Sequence, residues 1–228
     1  SGTRLTGAFD VAGIGGDTEY LRGRLEGIFY KSLTPRLSVG TRIQTEYVRP
    51  YGDTVTLPIF EKLVLGGEYS IRGFDLRSVG TRDEQSGLVL GGNKTMLFNA
   101  EFMIIVGGPV RLVFFYDAGQ VRDIGERFRW QETVYQTVAP TPPLLSDPNQ
   151  DVVLTPDGQE PPANRLEAIG KSYAFKTSLG GEIRFFMPVL NVPFRLIFAY
   201  NPQRAGIFNN QLQRQPKFTF RFAVGTTF

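Results

Sequence analysis

Arginine and carboxylate are the main chemistry this sequence offers. It carries 25 Lys+Arg against 22 Asp+Glu, with His 0 and Cys 0. Without imidazole no Ser/His triad can form, and without thiols there is neither a disulfide framework nor a thiolate metal site. No cluster with metal-ligand spacing is apparent, so no cofactor is expected and nothing supports an enzyme. What remains is charge set at every second residue. Arg22, Arg24 and Glu26 form one such series, followed by Arg42 and Glu46, Glu101 and Asp117, and Glu182 and Arg184. Charges on one face of neighbouring strands can pair or can line an anion pore. Pairing of Arg22, Arg24 and Arg42 with Glu26 and Glu46 is the preferred reading. Asp83, Glu84 and Asp147 fall between the alternating segments and read as solvated loop charges. The net charge of +3 is too small to argue for nucleic acid.

The elements that must carry these charges are strands. The last eleven residues, Phe218–Phe228, alternate, with Phe218, Phe220, Phe222, Val224 and Phe228 expected on one face and Lys217, Arg221 and Gly225 on the other. A soluble sheet would need a packing layer to receive those rings, whereas lipid receives them unaided. Eight segments show the same rhythm, near 3–12, 18–31, 35–48, 93–106, 110–120, 172–187, 192–201 and 215–228. Each is close to or longer than the ~9–11 residues a tilted spanning strand requires. No apolar run reaches the ~18 residues of a membrane helix, and the mean hydropathy of -0.14 suits strands that alternate lipid-facing and inward-facing residues.

The expected fold is therefore all-β, a transmembrane antiparallel β-barrel of eight strands forming one domain over residues 1–228. Short turns follow the second, fourth and sixth segments, and long loops follow the third (about 49–92) and the fifth (about 121–171). Short periplasmic turns opposite long extracellular loops is the arrangement of the bacterial outer membrane. The Pro-rich stretch 137–163, with Ala139 to Pro143 at its start, reads as part of an extracellular loop.

A set of motifs then occurs in order. Leu63-Val-Leu-Gly-Gly-Glu-Tyr-Ser-Ile71-Arg72-Gly73-Phe74 lies in the first long loop. Gly91-Gly92-Asn93, Asn99-Ala-Glu101-Phe102 and Phe114-Phe-Tyr-Asp117-Ala-Gly119 come after it. With the terminal Phe228, this set resembles the carboxyl-terminal half of the BamA superfamily of outer-membrane assembly and translocation barrels. The resemblance covers nearly the whole chain as the last eight of sixteen family strands, without the periplasmic POTRA modules. It implies that Ile71, Arg72, Gly73 and Phe74 are the tip of the sixth extracellular loop, folded back into the lumen. It also implies that Glu101 and Asp117 hold Arg72. The alternation is compatible, since it puts both carboxylates on the inward face of adjacent strands where one planar guanidinium could bond both. Gly73 would permit a turn that a side chain would obstruct, and Phe74 would supply an apolar anchor. A barrel closed at eight strands has an interior just filled by side chains. In that case the loop is expected partly outside, or Arg72 on one carboxylate only.

Two functions follow from the resemblance and the loops. One is assistance to the insertion, assembly or translocation of outer-membrane proteins, with Phe218–Phe228 as one edge of a weak seam to which client strands add and, for a barrel closed at eight strands, Thr3–Val11 as the other. Phe218, Phe220, Phe222, Val224 and Phe228 would then be both seam and carboxyl-terminal assembly signal. The other is a structural or adhesin-like barrel, or a carboxyl-terminal fragment of a sixteen-strand factor, with no insertase activity of its own. There the loop at 121–171 would meet an outside partner through Trp130, Val134 and Tyr135. The expected partners are outer-membrane lipid, unfolded outer-membrane protein clients and assembly-machinery subunits, with no nucleic acid; a homo-oligomer is left open.

Overall fold

The two-residue rhythm folds as read. The structure, a computed structural model, describes residues 1–13, 15–83, 88–138, 165–187, 192–204 and 215–228. Its strands are β1 (Gly2–Ala12), β2 (Tyr20–Thr34), β3 (Leu37–Pro50), β4 (Lys94–Gly107), β5 (Val110–Arg122), β6 (Gln131–Val138), β7 (Arg165–Tyr173), β8 (Lys176–Phe186), β9 (Pro193–Tyr200) and β10 (Phe218–Val224). Eight of them form one antiparallel sheet in the order β1-β2-β3-β4-β5-β8-β9-β10. Register is set by alternation, because a one-residue slip would turn every charge outward. Arg42 thus lies opposite Asn99, Asn99 opposite Asp117, and Asp117 opposite Ser178, a polar row running across four strands.

The sheet is apolar on its outer face and charged within. Leu5, Phe9, Leu25, Phe114, Phe198, Phe218, Phe220 and Phe222 are all exposed, whereas Arg72, Asp117, Glu182 and Arg195 are 0% exposed. That is the reverse of a protein folded in water, and it is what a hydrocarbon solvent requires. Rings pair across the outer face: Phe194 with Phe222 at 5.7 Å, Phe198 with Phe220 at 5.1 Å and Tyr200 with Phe218 at 5.0 Å. The sheet curves around the first long loop, which bonds to β3 through Arg42, to β4 through Asn99, to β8 through Ser178 and to β10 through Thr219.

Four expectations need correction. The eight strands do not close on themselves: β1 and β10 are the sheet's two ends, and no ladder joins them among the described residues. The buried loop tip occupies the concave side, the space that a closed eight-strand barrel fills with its own side chains. Second, the long connection after β5 is not all loop. β6 and β7 form a separate two-stranded hairpin whose base is closed by Ala174 N–H on the Trp130 carbonyl at 2.9 Å. Residues 139–164 lie outside the described residues, as do Asp147 and Glu84. Third, the segment 172–187 is two strands, broken at Ala174 and Phe175, where Phe175 leaves the ladder and lies 5.3 Å from Trp130.

Fourth, Phe228 does not share the face of Phe218, Phe220, Phe222 and Val224. β10 ends at Val224, and Gly225 takes a φ of 104°, a left-handed conformation open to glycine. The chain then turns inward, so Phe228 stacks on Tyr30, an inward-facing residue of β2, at 5.9 Å.

Candidate functional site

The loop between β3 and β4 is folded by short-range turns and bridges. Leu63 bridges Gly92, and Leu65 bridges Val79, so the chain enters and leaves as a narrow ribbon. At its tip Gly67 N–H donates to Phe74 O at 2.9 Å and Phe74 N–H to Ile71 O at 3.1 Å. These bonds bring Ile71, Arg72, Gly73 and Phe74 to the concave face of the sheet, all four buried. Ile71 and Phe74 pack with Leu65, Val79, Leu97 and Val121. Arg22 on β2 ties the start of the loop, donating to the Glu61 backbone and carboxylate at 2.9 Å each.

Arg72 is held by three carboxylates. Its Nη2 donates to Asp117 Oδ1 at 2.7 Å and its Nε to Asp117 Oδ2 at 2.9 Å, a fork-on-fork pair to which the Arg72 backbone N–H adds a third bond at 3.0 Å. Nη1 donates to Glu101 Oε1 at 2.7 Å and to Glu182 Oε2 at 3.1 Å. The guanidinium carbon lies 3.8 Å over the Phe115 ring, which covers its remaining face. Arg72 thus spans β4, β5 and β8 and meets three carboxylates rather than one.

Two more arginines complete the cluster. Arg184 donates to Glu101 at 2.6 Å and Glu182 at 2.5 Å, and Arg195 donates to Glu182 at 2.6 and 3.0 Å. Three guanidinium groups (Arg72, Arg184, Arg195) therefore face three carboxylates (Glu101, Asp117, Glu182), so the buried charge balances. Balance matters because an unpaired buried ion costs several kcal/mol, and a paired one roughly offsets its own desolvation. Such a cluster fixes position without performing chemistry.

Gly73 earns its place by closeness and not by φ, which is not left-handed. Its N–H donates to Ser178 Oγ at 3.1 Å, its carbonyl accepts from Thr219 Oγ1 at 3.1 Å and from Asn201 Nδ2, and a Cβ would overlap the Asn201 side chain. Near β2 and β3, Arg42 and Arg24 pair with Glu26 at 2.9 and 3.3 Å, and Arg22 with Glu46 at 3.7 Å. Those arginines are paired, as the pairing reading has it.

The structure brings together Ile71, Arg72, Gly73, Phe74, Glu101 and Asp117. It sets Phe218, Phe220, Phe222 and Val224 on the outer face and Phe228 inside. Sequence reasoning did not assign Glu182, Arg184, Arg195, Ser178, Asn201 and Thr227 to the site. Alternation sets Glu182 and Arg184 on one face, but the registers that bring them and Arg195 to Arg72 are not visible in one sequence.

Comparison with known proteins agrees with this geometry. The family model of the Omp85 superfamily domain matches residues 1–228. The outer membrane protein assembly factor BamA of Nitratidesulfovibrio vulgaris is 30% identical over 127 residues, which is 55% of this chain and 16% of that protein. The crystal structure of BamA from Haemophilus ducreyi lacking POTRA domains 1-3 superposes with a TM-score of 0.61 at 18% identity, over 98% of this chain and 38% of that one. At that identity the second likeness concerns fold alone. The chain spans well under half the length of either relative. The inside-out sheet, the docked loop and the match along its full length lead to one conclusion: the chain belongs to the Omp85 superfamily and is an outer-membrane barrel domain of that family.

Proposed function

We propose that the chain is the membrane-embedded part of a factor that assists the insertion, assembly or translocation of outer-membrane proteins. Omp85 membership already makes it a non-enzymatic outer-membrane protein. The observation that carries the finer reading is Arg72, completely buried on three carboxylates at the tip of a loop drawn into the concave face. A barrel that only anchored or adhered would not need such a device. The name of the Nitratidesulfovibrio vulgaris relative, an assembly factor, supports the same role.

In this reading the seam lies at the β10 edge. β10 presents backbone donors and acceptors to which an incoming strand can bond, and hydrocarbon makes leaving them bare costly. Phe218, Phe220, Phe222 and Val224 continue the lipid-facing belt up to that edge. The docked loop keeps the concave side filled, so a client adds at the edge and does not enter the interior. Burial of client apolar surface and pairing of its backbone drive the process without cofactor or ATP. Because the loop needs more space than eight strands enclose, we infer that further strands complete the ring, from the same polypeptide or from a second copy. Unfolded outer-membrane proteins are the clients in this reading, with other assembly-machinery subunits alongside.

The test is reconstitution in liposomes with an unfolded barrel client. Client folding faster than on empty liposomes, and slowed by Arg72→Ala, is expected. A rate equal to that on empty liposomes sinks the proposal. The β6–β7 hairpin favours a second reading, contact with an outside partner, because Trp130 at its base is 79% exposed. Loss of partner binding on deleting the hairpin, with client folding unaffected, would support it.

A further inference from the structure

The residues after β10 form a strap. Gly225 donates its N–H to Pro193 O at 2.9 Å and turns the chain under the concave face. Thr227 is then buried, its Oγ1 accepting from Arg195 Nη2 at 2.6 Å and from Arg184 Nη2 at 3.1 Å. Beyond it Phe228 O accepts from the Tyr30 hydroxyl at 3.0 Å, beneath the stacked rings. Four residues thus lead from the lower end of β10 across the interior to β2, linking the two sides of a sheet whose ends carry no ladder to each other among the described residues.

The strap and the loop tip share their ligands. Arg184 and Arg195, which hold Thr227, also neutralise Glu182, and Arg184 neutralises Glu101. Those two carboxylates are the ones that, with Asp117, hold Arg72. The loop reaches the same place directly as well: Tyr69, three residues before Arg72, donates its hydroxyl to the Val224 carbonyl at 2.7 Å, and Arg195 lies 6.0 Å from its ring. Removing Arg72 from the cluster would leave Glu101 and Glu182 short of a cation and would redirect Arg184 and Arg195 toward them and away from a neutral hydroxyl.

We propose that Thr227 is a positioning residue that couples the docked loop to the end of β10, so the strap crosses to Tyr30 when Arg72 is seated and comes away when it is not. The loop then governs whether the end of β10 is tied to β2. The coupling is reciprocal, because a contact that favours one docked element favours the other by the same factor. It stands whether or not the chain assists client folding.

The sequence contains no cysteine, so a Tyr30→Cys, Phe228→Cys pair labels cleanly. In the full chain in lipid vesicles, a short bifunctional thiol reagent reports how often the strap is across. Thr227→Val, which removes the hydroxyl at nearly constant shape, is expected to slow cross-linking about tenfold, the scale of one charge-assisted hydrogen bond. Thr227→Ser restores it. Asp117→Asn, which touches neither Thr227 nor the strap, is expected to slow it as well, because it loosens Arg72. Folding of each variant is checked by its heat-dependent mobility on gels. Cross-linking at the parent rate in folded Thr227→Val overturns the anchor, and the parent rate in folded Asp117→Asn overturns the coupling. If Asp117→Asn does not fold, Ser178→Ala, which removes the acceptor of the loop-tip Gly73 N–H and likewise touches no residue of the strap, gives the same reading.

Discussion

Asp117 grips Arg72 three times, twice through the guanidinium at 2.7 and 2.9 Å and once through the backbone N–H at 3.0 Å. The backbone bond fixes where the loop stops, and the side-chain fork fixes which residue can stop there. Lysine at position 72 would keep the charge but lose the planar fork, so it could not grip both oxygens of Asp117 in parallel while reaching Glu101 and Glu182.

Arg72→Ala leaves Asp117, Glu101 and Glu182 with one cation too few in a buried site. A loss of about 3–5 kcal/mol in unfolding free energy is expected, with Arg72→Lys falling between it and the parent. Urea titration of the refolded protein in vesicles measures both. Equal stability of Arg72→Ala and parent would mean the cluster contributes nothing to holding the fold.

Gly73→Ala places a methyl into the Asn201 side chain. The expected cost is about 1–3 kcal/mol, the range for overpacking a filled interior. Gly107→Ala, at the end of β4 where a Cβ meets nothing within 4 Å, is expected to cost far less and serves as its control in the same titration.

How much of this could be read from the sequence depended on the kind of information involved. Period-two alternation gave the eight sheet strands and their inward faces, since which face a residue occupies is local information. The resemblance supplied Arg72, Glu101 and Asp117 as partners, but alternation alone could not. Glu182 illustrates the gap: it faced inward by pattern, yet its place beside Arg72 depends on β8 pairing with β5 across a connection more than 50 residues long. Phe228 illustrates the opposite error. Extending the alternation past Gly225 put it in lipid, where a single left-handed glycine turns it inward. The β6–β7 hairpin was hidden because its strands pair only with each other and carry no run of lipid-facing rings.

Because β6 and β7 pair only with each other, replacing the stretch between Trp130 and Ala174 with a short Gly-containing turn should leave the main sheet intact. The shortened chain is expected to keep its heat-dependent gel mobility and its strand signal in circular dichroism. Failure to refold would show that the hairpin supports the sheet.

Phe220→Arg, in the middle of β10 on the outer face, is expected to destabilise the protein in vesicles by about 2–4 kcal/mol, the cost of a cation facing mid-bilayer lipid. The same substitution at Trp130, exposed on the hairpin, should be nearly neutral. Comparable costs at the two positions would argue against a lipid-facing belt.

The account rests on lipid lying against one face of the strands and the ion-paired loop against the other. Single spin labels placed in turn at residues 218 to 224 of the reconstituted cysteine-free chain read this directly, through collision with lipid-soluble oxygen. Maxima at Phe218, Phe220, Phe222 and Val224 with minima at Thr219, Arg221 and Ala223 are predicted. A flat profile, or maxima at the second set, would contradict it.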